Sequence, residues 1–590
     1  MIRTPLRPLP RILDARAQGV NPQGIERENL RLRREQARDQ GRRMAEWRLL
    51  LLAVLFFMGF AGIGTKMGML AASPVVEPEP FAGERISGDR ADILDRNGRL
   101  LATNLVTHSL YAELRYMLDA PRAARELARI FPDLDAERLE ARLTDPNRRF
   151  EWIRARVSPE QAQAAHDIGE PGLMLGPRDM RLYPNGTLAA HVLGGTMYGE
   201  QGVSAAEIQG IAGIESHANA RLSDPDLAEV PLTLTLDLAV QAIVEEVLEA
   251  GIRTLNANGG SVVVMEAHTG EIVAMASAPT FDPNDRPPPP RDRHEQAVSP
   301  LFNRITQGLY ELGSVMKAFA VAQALDLGLV TPETMIDTRP MRVSRFQISD
   351  IHNMGPENTV ADIFVRSSNP GTARLVQLIG GERQRMFLES LGMLSPLDLQ
   401  LLESRARPAF DPRWSELSAM TIGYGHGLSM TPLHLAAGYA ALVNGGTTVV
   451  PTLIRRPETG PGPRVISEET SHQMRQIMRD TVVRGTGRAA EAPGYAVGGK
   501  TGTADKPSPD GGYFEDRVIT SFAGAFPMTD PRYVFVVTLD EPEDRTGTEP
   551  VRTAGRTAAP VAGLLVRRIA PVLGLRPQSE AEIAAAMALR

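Results

Sequence analysis

A run of seventeen uncharged residues, LLLLAVLFFMGFAGIGT at 49–65, constrains this chain more than any other feature. Beyond Lys66 the sequence MGMLAA stays apolar to Ala72. As a helix the segment is long enough to cross a bilayer, and a lysine near its end lifts its ammonium to the headgroups. Twelve Arg against six acidic residues give 1–48 a net charge of +6, and such segments stay cytoplasmic. A single-pass anchor at 49–72 is expected, in contact with membrane lipid, with about 520 residues outside the cytoplasm. A cleaved signal peptide competes through the small residues Ala71 and Ser73, but the leading segment is long for one and Pro74 follows immediately.

The exported part exceeds what one hydrophobic core organises, so at least two domains are expected. An apolar share of 43% and a net charge of −7 are ordinary for globular protein and give no reason to expect nucleic acid. There is no cysteine, which excludes disulfides, thiolate catalysis and cysteine-ligated metals. The ten histidines show no ligand spacing, so neither a metal nor a cofactor is expected. PVVEPEP at 74–80 reads as a stiff linker, and the stretch after it mixes short strands with helices such as PRAARELARIF and SPEQAQAAHDI.

The texture changes near Pro231. TLTLDLAVQAIVEEVLEAGI predicts a strand and then an amphipathic helix, and GGSVVVMEAHTGEIVAMAS a hairpin turning at His268-Thr269-Gly270. VITSFAGAFP and YVFVVTLDEP predict paired strands, followed by a helix within TAAPVAGLLVRRIAPVLGL. Strands at both ends with helices between them predict an α+β domain, a central sheet flanked by helices. The expected divisions are an Arg-rich tail at 1–48, the anchor at 49–72, a linker and first exported module at 73–230, a second domain at 231–575 and a tail at 576–590.

Of 64 basic residues only four are lysine: Lys66, Lys317, Lys500 and Lys506. Arginine serves for surface charge but does not lose its proton, whereas a buried lysine can become neutral. Lys317 falls in Ser314-x-x-Lys317 at the mouth of an apolar helix, so the two side chains share one face and the geometry permits a direct hydrogen bond between them. A neutral amine there would take the serine proton, and the helix N-terminus aims amides at developing negative charge. Ser367-Ser368-Asn369 follows 53 residues later; alone, its Asn-Pro-Gly continuation is turn chemistry. Lys500-Thr501-Gly502-Thr503 comes a further 133 residues on, where the lysine charge can hold an anion, the hydroxyls orient it, and Gly502 lets a substrate backbone lie close to a strand. The same stretch, GYAVGGKT from Gly494, also satisfies a Walker A pattern, but Gly502 and DKPSPDGG behind it cannot propagate the helix a phosphate loop requires. His426 in GYGHG reads as a loop or core histidine, and Glu215 as a structural partner.

Ser-x-x-Lys, Ser-x-Asn and Lys-Thr-Gly in this order resemble the signature of penicillin-binding proteins and class A β-lactamases. ADILDRNGRLLATN from Ala91, RLYPNG from Arg181, HVLGGT from His191, GIAGIE ending at Glu215, NRITQGLYELGSVMK and GYGHGLSMTPL extend the resemblance to class B penicillin-binding proteins over nearly the whole exported region. Two positions depart from that pattern: Leu312 stands where proline is usual, and Ala91 where glycine is usual.

The resemblance implies a penicillin-binding, serine β-lactamase-like transpeptidase domain behind an irregular α+β pedestal. The implied enzyme cross-links peptidoglycan stem peptides through an acyl-enzyme on Ser314, with Lys317 as base, Ser367 relaying a proton and Asn369 holding the donor. Lys500, Thr501 and Thr503 would bind its carboxylate, and the amides of Ser314 and Thr503 would form the oxyanion hole. It further implies β-lactams as inhibitors, a bacterial inner-membrane location with the catalytic domain periplasmic, and an FtsW-type glycosyltransferase and other division proteins as partners. The ending YVFVVTLDEP and the length look like the division-specific FtsI branch. An elongation-type transpeptidase, a D,D-carboxypeptidase and an idle β-lactam receptor remain as alternatives.

Overall fold

A computed structural model describes residues 9–72, 90–201, 206–344, 346–455, 461–508 and 511–588. They belong to two compact units, one within Met1–Arg85 and one within Ile86–Arg590. The first contains helices Leu9–Ala17 and Gln23–Ala72. Its apolar stretch Trp47–Lys66 has none of its residues buried in protein, as a lipid-facing helix requires and a core helix does not. The segment expected to be a tail is helical from Gln23 onward. The expected linker at 74–80 lies outside the described residues.

In the second unit, strand Leu100–Glu113 pairs antiparallel with Phe150–Val157, Leu173–Leu182 and the short Ile93–Leu94. Helices Ala120–Ile130, Ala136–Leu143 and Pro159–Asp167 pack on this sheet around Leu110, Leu127, Phe131, Leu139 and Ile153. Ser158 and Gln161 close a capping box at the last of these helices, which is why SPEQ begins it. Asp95 accepts from the amides of Asn97 and Arg99 through one oxygen and of Leu238 through the other, while Arg96 pairs with Glu266 and Glu271. The Asp-Arg-Asn-Gly stretch therefore ties this module to the domain that follows. Ala91 is fully buried and has no positive φ, so glycine's freedom is not needed there.

That following domain holds a five-stranded antiparallel sheet of β1 (Gly259–Glu266), β2 (Ile272–Ala278), β3 (Gly498–Pro507), β4 (Tyr513–Phe526) and β5 (Tyr533–Asp540). The spatial order is β3-β4-β5-β1-β2, with β3 at an edge. Val262, Val264, Phe535 and Val537 face one apolar cluster; Val263, Met265, Val534 and Val536 face the other. A sheet buried on both faces needs apolar residues without alternation, which is the pattern of VVVM and YVFVV. The first cluster is closed by α1 (Leu238–Thr254) on one side of the sheet. The opposite side carries α2 (Lys317–Asp326), α3 (Val360–Arg366), α4 (Asn369–Ile379), α5 (Pro432–Val443) and α6 (Glu468–Arg484), and α7 (Ala558–Val572) packs beside α1. The expected tail at 576–590 instead contains a helix, Glu580–Ala588, with Ile583 buried and the Met587 carbonyl accepting from Gln476.

Candidate active site

Three segments meet backbone to backbone around Ser314. Gly313–Met316 forms one 3-10 turn leading into α2, and Gly313 has φ +66 with its amide donating to Gly425 at 3.2 Å. A Cβ on Gly313 would lie 2.5 Å from the Thr503 carbonyl, one on Gly425 1.9 Å from the Gly313 carbonyl, and one on Gly502 2.2 Å from the Leu312 carbonyl. The missing side chain of Gly502 thus admits the chain's own nucleophile turn. Leu312 has φ −100, away from the proline value, and is held by burial and by Ser521 Oγ donating to its carbonyl at 3.0 Å. Ser314 sits half-exposed on this turn.

Lys317 is wholly buried, and its Nζ donates to the Ser367 carbonyl at 2.6 Å, Ser367 Oγ at 3.0 Å and Asn369 Oδ1 at 2.7 Å. Among the described residues Lys317 makes these bonds rather than the one to Ser314 that the spacing permits. An ammonium has three donors, and the Ser-Ser-Asn turn supplies three acceptors for them. Burial first, and the Lys500 charge second, push the Lys317 pKa well below its ordinary value, while Asp350 opposes them. Ser367 lies in the left-handed region at φ +70, between the end of α3 and the Ser368 cap of α4. Such a conformation in a serine persists only when its surroundings hold it.

Lys500 is also wholly buried, and burial pushes its pKa down to about 7. Its Nζ donates to the Thr501 carbonyl at 3.2 Å and stands 5.8 Å from the centre of the Phe364 ring. Thr501 Oγ1 bonds Thr486 Oγ1 at 2.7 Å, and Thr503 Oγ1 accepts from the Ala554 amide at 3.0 Å. Thr503 keeps its own proton free to donate. Lys500 and Thr501 continue as β3 through Pro507, so no helix N-terminus follows them and the Walker A reading is excluded.

Two groups escape sequence reasoning. Asp350 accepts from Ser368 Oγ at 2.7 Å and from the Asn369 amide at 2.6 Å. Glu311, three residues before Ser314, accepts from the Gly427 amide at 3.0 Å and from Tyr513 OH, and stands 3.3 Å from His426 Nδ1. Burial pushes the Glu311 carboxyl up, but the bonds from His426, Gly427 and Tyr513 outweigh it and hold the pKa below the usual value. His426 is thus tied to the nucleophile turn.

The profile of the penicillin binding protein transpeptidase domain matches residues 260–563, and that of the penicillin-binding protein dimerisation domain matches 85–225. The probable peptidoglycan D,D-transpeptidase FtsI of Caulobacter vibrioides is 34% identical over 565 residues, covering 92% of each chain. The peptidoglycan D,D-transpeptidase FtsI of Escherichia coli K12 is 26% identical, covering 90% of this chain and 93% of its own. Among solved structures, penicillin binding protein 3 of Mycobacterium tuberculosis complexed with aztreonam superposes with a TM-score of 0.63 at 26% identity, covering 83% of this chain and 97% of that one. With both domains matched in series and the relatedness running through nearly the whole length, the chain belongs to the penicillin-binding protein transpeptidases, in the class B architecture of the FtsI type.

Proposed function

We propose that this peptidoglycan D,D-transpeptidase works through an acyl-enzyme on Ser314, with septal wall synthesis as its setting. The observation that carries the reading is Lys317: an amine wholly buried, close to Lys500 and bonded to Ser367 and Asn369. Neutral, it takes the Ser314 proton as Oγ attacks the carbonyl of the penultimate D-Ala, and the amides of Ser314 and Thr503 hold the oxyanion. The C–N bond breaks, and Ser367 passes a proton to the leaving D-Ala amine. Asn369 holds the donor, and Lys500 with Thr501 and Thr503 binds its terminal carboxylate, whose charge keeps Lys500 protonated. An amine from a neighbouring stem peptide resolves the ester; a β-lactam in the donor's place stalls there.

The division 73–230 and 231–575 is read as pedestal and catalytic domain, and the anchor as an inner-membrane helix with its N-terminus cytoplasmic. An FtsW-type glycosyltransferase is the proposed supplier of glycan strands. A labelled penicillin is expected to attach to Ser314 with one-to-one stoichiometry, mapped by digestion of the labelled protein, because Ser314 is the only serine with a lysine three residues on. Label on another residue, or label retained by Ser314→Ala, overturns the assignment. Product analysis with a donor and an amine acceptor separates transfer from hydrolysis.

A further inference from the structure

Asp350 belongs to no regular element, lying between strands Phe346–Ile348 and Glu357–Thr359, yet its two oxygens grip the turn that faces Lys317. One accepts from Ser368 Oγ at 2.7 Å and the other from the Asn369 amide at 2.6 Å. Ser368 Oγ in turn accepts from the Gly371 amide at 3.2 Å, so the carboxylate and the cap together satisfy the first turn of α4. The residue just before the gripped pair is Ser367, whose left-handed backbone presents its carbonyl to Lys317 Nζ at 2.6 Å.

We infer that Asp350 is a positioning residue for acyl transfer: its carboxylate fixes Ser368 and Asn369 so that the Ser367 carbonyl, Ser367 Oγ and Asn369 Oδ1 converge on Lys317. This rests on the reading of Lys317 as the base. Without the carboxylate the strained Ser367 backbone has less to hold it, and the chain between α3 and α4 relaxes toward ordinary helical geometry. The carboxylate has a second effect through its charge. The charged groups acting on Lys317 are Lys500 from β3, which lowers its proton affinity, and Asp350, which raises it. Removing the Asp350 charge leaves the Lys500 repulsion unopposed, so Lys317 becomes neutral at lower pH.

The test is the rate of acylation of the full-length protein in detergent by a chromogenic cephalosporin, followed across pH for wild type, Asp350→Asn and Asp350→Glu. Asp350→Asn is nearly isosteric but uncharged. It is expected to acylate roughly tenfold to a hundredfold more slowly at its plateau, through misplaced groups, and to reach that plateau at lower pH than wild type. Asp350→Glu keeps the charge and is expected to restore the wild-type position of the acid limb. A role limited to stability would lower melting temperature and active fraction without moving the limb. An unmoved limb in Asp350→Asn, or the same displacement in Asp350→Glu, overturns the inference. Lys317→Ala distinguishes the two levels. If it acylates at the wild-type rate, the base assignment fails and carries this inference with it; if it is inactive while Asp350→Asn behaves as wild type, only the inference fails.

Discussion

Lys500 and Lys317 both hold an amine in the interior of the protein, and among the described residues no carboxylate is hydrogen-bonded to either. Desolvating a charge costs stability that such contacts recover only in part, so both residues are expected to be retained for chemistry rather than for folding. Lys500 shows this through pH. Burial lowers its pKa from 10.5 to about 7 in the folded protein. Between those values the unfolded chain holds more protons, so stability rises with pH across that window, and the penalty is present in full below it. Lys500→Met should therefore raise the melting temperature, by an amount equivalent to about 2–4 kcal/mol near pH 6 and less near pH 9, while abolishing tight binding of the donor carboxylate. Differential scanning calorimetry at the two pH values, with acylation rates beside it, checks both halves. A destabilised Lys500→Met variant, or an equal gain at both pH values, contradicts this account of the buried charge.

At the scale of elements, the site depends on how closely β3 and the nucleophile turn approach. Register places Gly502 opposite Ser521 on β4, and both meet the Leu312 carbonyl, one by having no side chain and the other by donating to it. Gly502→Ala should cost about 1–3 kcal/mol through overpacking, because its Cβ would meet a backbone carbonyl that cannot rotate away. Acylation should fall further than stability does, since the Ser314 and Thr503 amides separate as the strand is displaced. Urea unfolding together with acylation kinetics tests this, and a variant that keeps the wild-type rate shows that the approach is not needed for catalysis. Strands β1, β2, β4 and β5 and helices α1 and α7 were legible because their cause is local: apolar runs, capping residues and turn chemistry all act within a few residues. The three motifs were legible by their order. Asp350, Glu311 and the left-handed Ser367 were not, because each is defined by contacts across the fold that leave no periodicity behind. The final helix Glu580–Ala588 was missed for a related reason, since its alanines give little amphipathic contrast and only Ile583 is buried.

Over the whole molecule, the stretches that resemble the family's pedestal converge on one carboxylate. Glu215, wholly buried, accepts from Arg90 Nε at 2.6 Å and Arg181 Nε at 2.7 Å, with Tyr183 OH at 3.3 Å. This cluster ties Arg90 to the Arg181 strand and to the helix that carries Glu215, residues 91 and 125 positions away from it in sequence. The anchor helix precedes this module in the sequence, and its orientation decides where every group discussed above works. Its span of 20 residues is about 30 Å long, the thickness of a bilayer's hydrocarbon core, and none of it is covered by protein. Arg42 and Arg43 precede it and Arg48 lies in its first turn, all within a segment of net charge +6, while Lys66 ends it on the other side. One lysine cannot balance the arginines under the rule that basic loops stay inside. A reporter enzyme active only outside the cytoplasm should therefore work when fused after Ala72 and fail when fused before Trp47. Activity from the fusion before Trp47 reverses the orientation and places the catalytic domain in the cytoplasm. A mature protein that begins beyond Ala72 replaces the anchor with a cleaved signal, which N-terminal sequencing of the membrane-extracted protein detects.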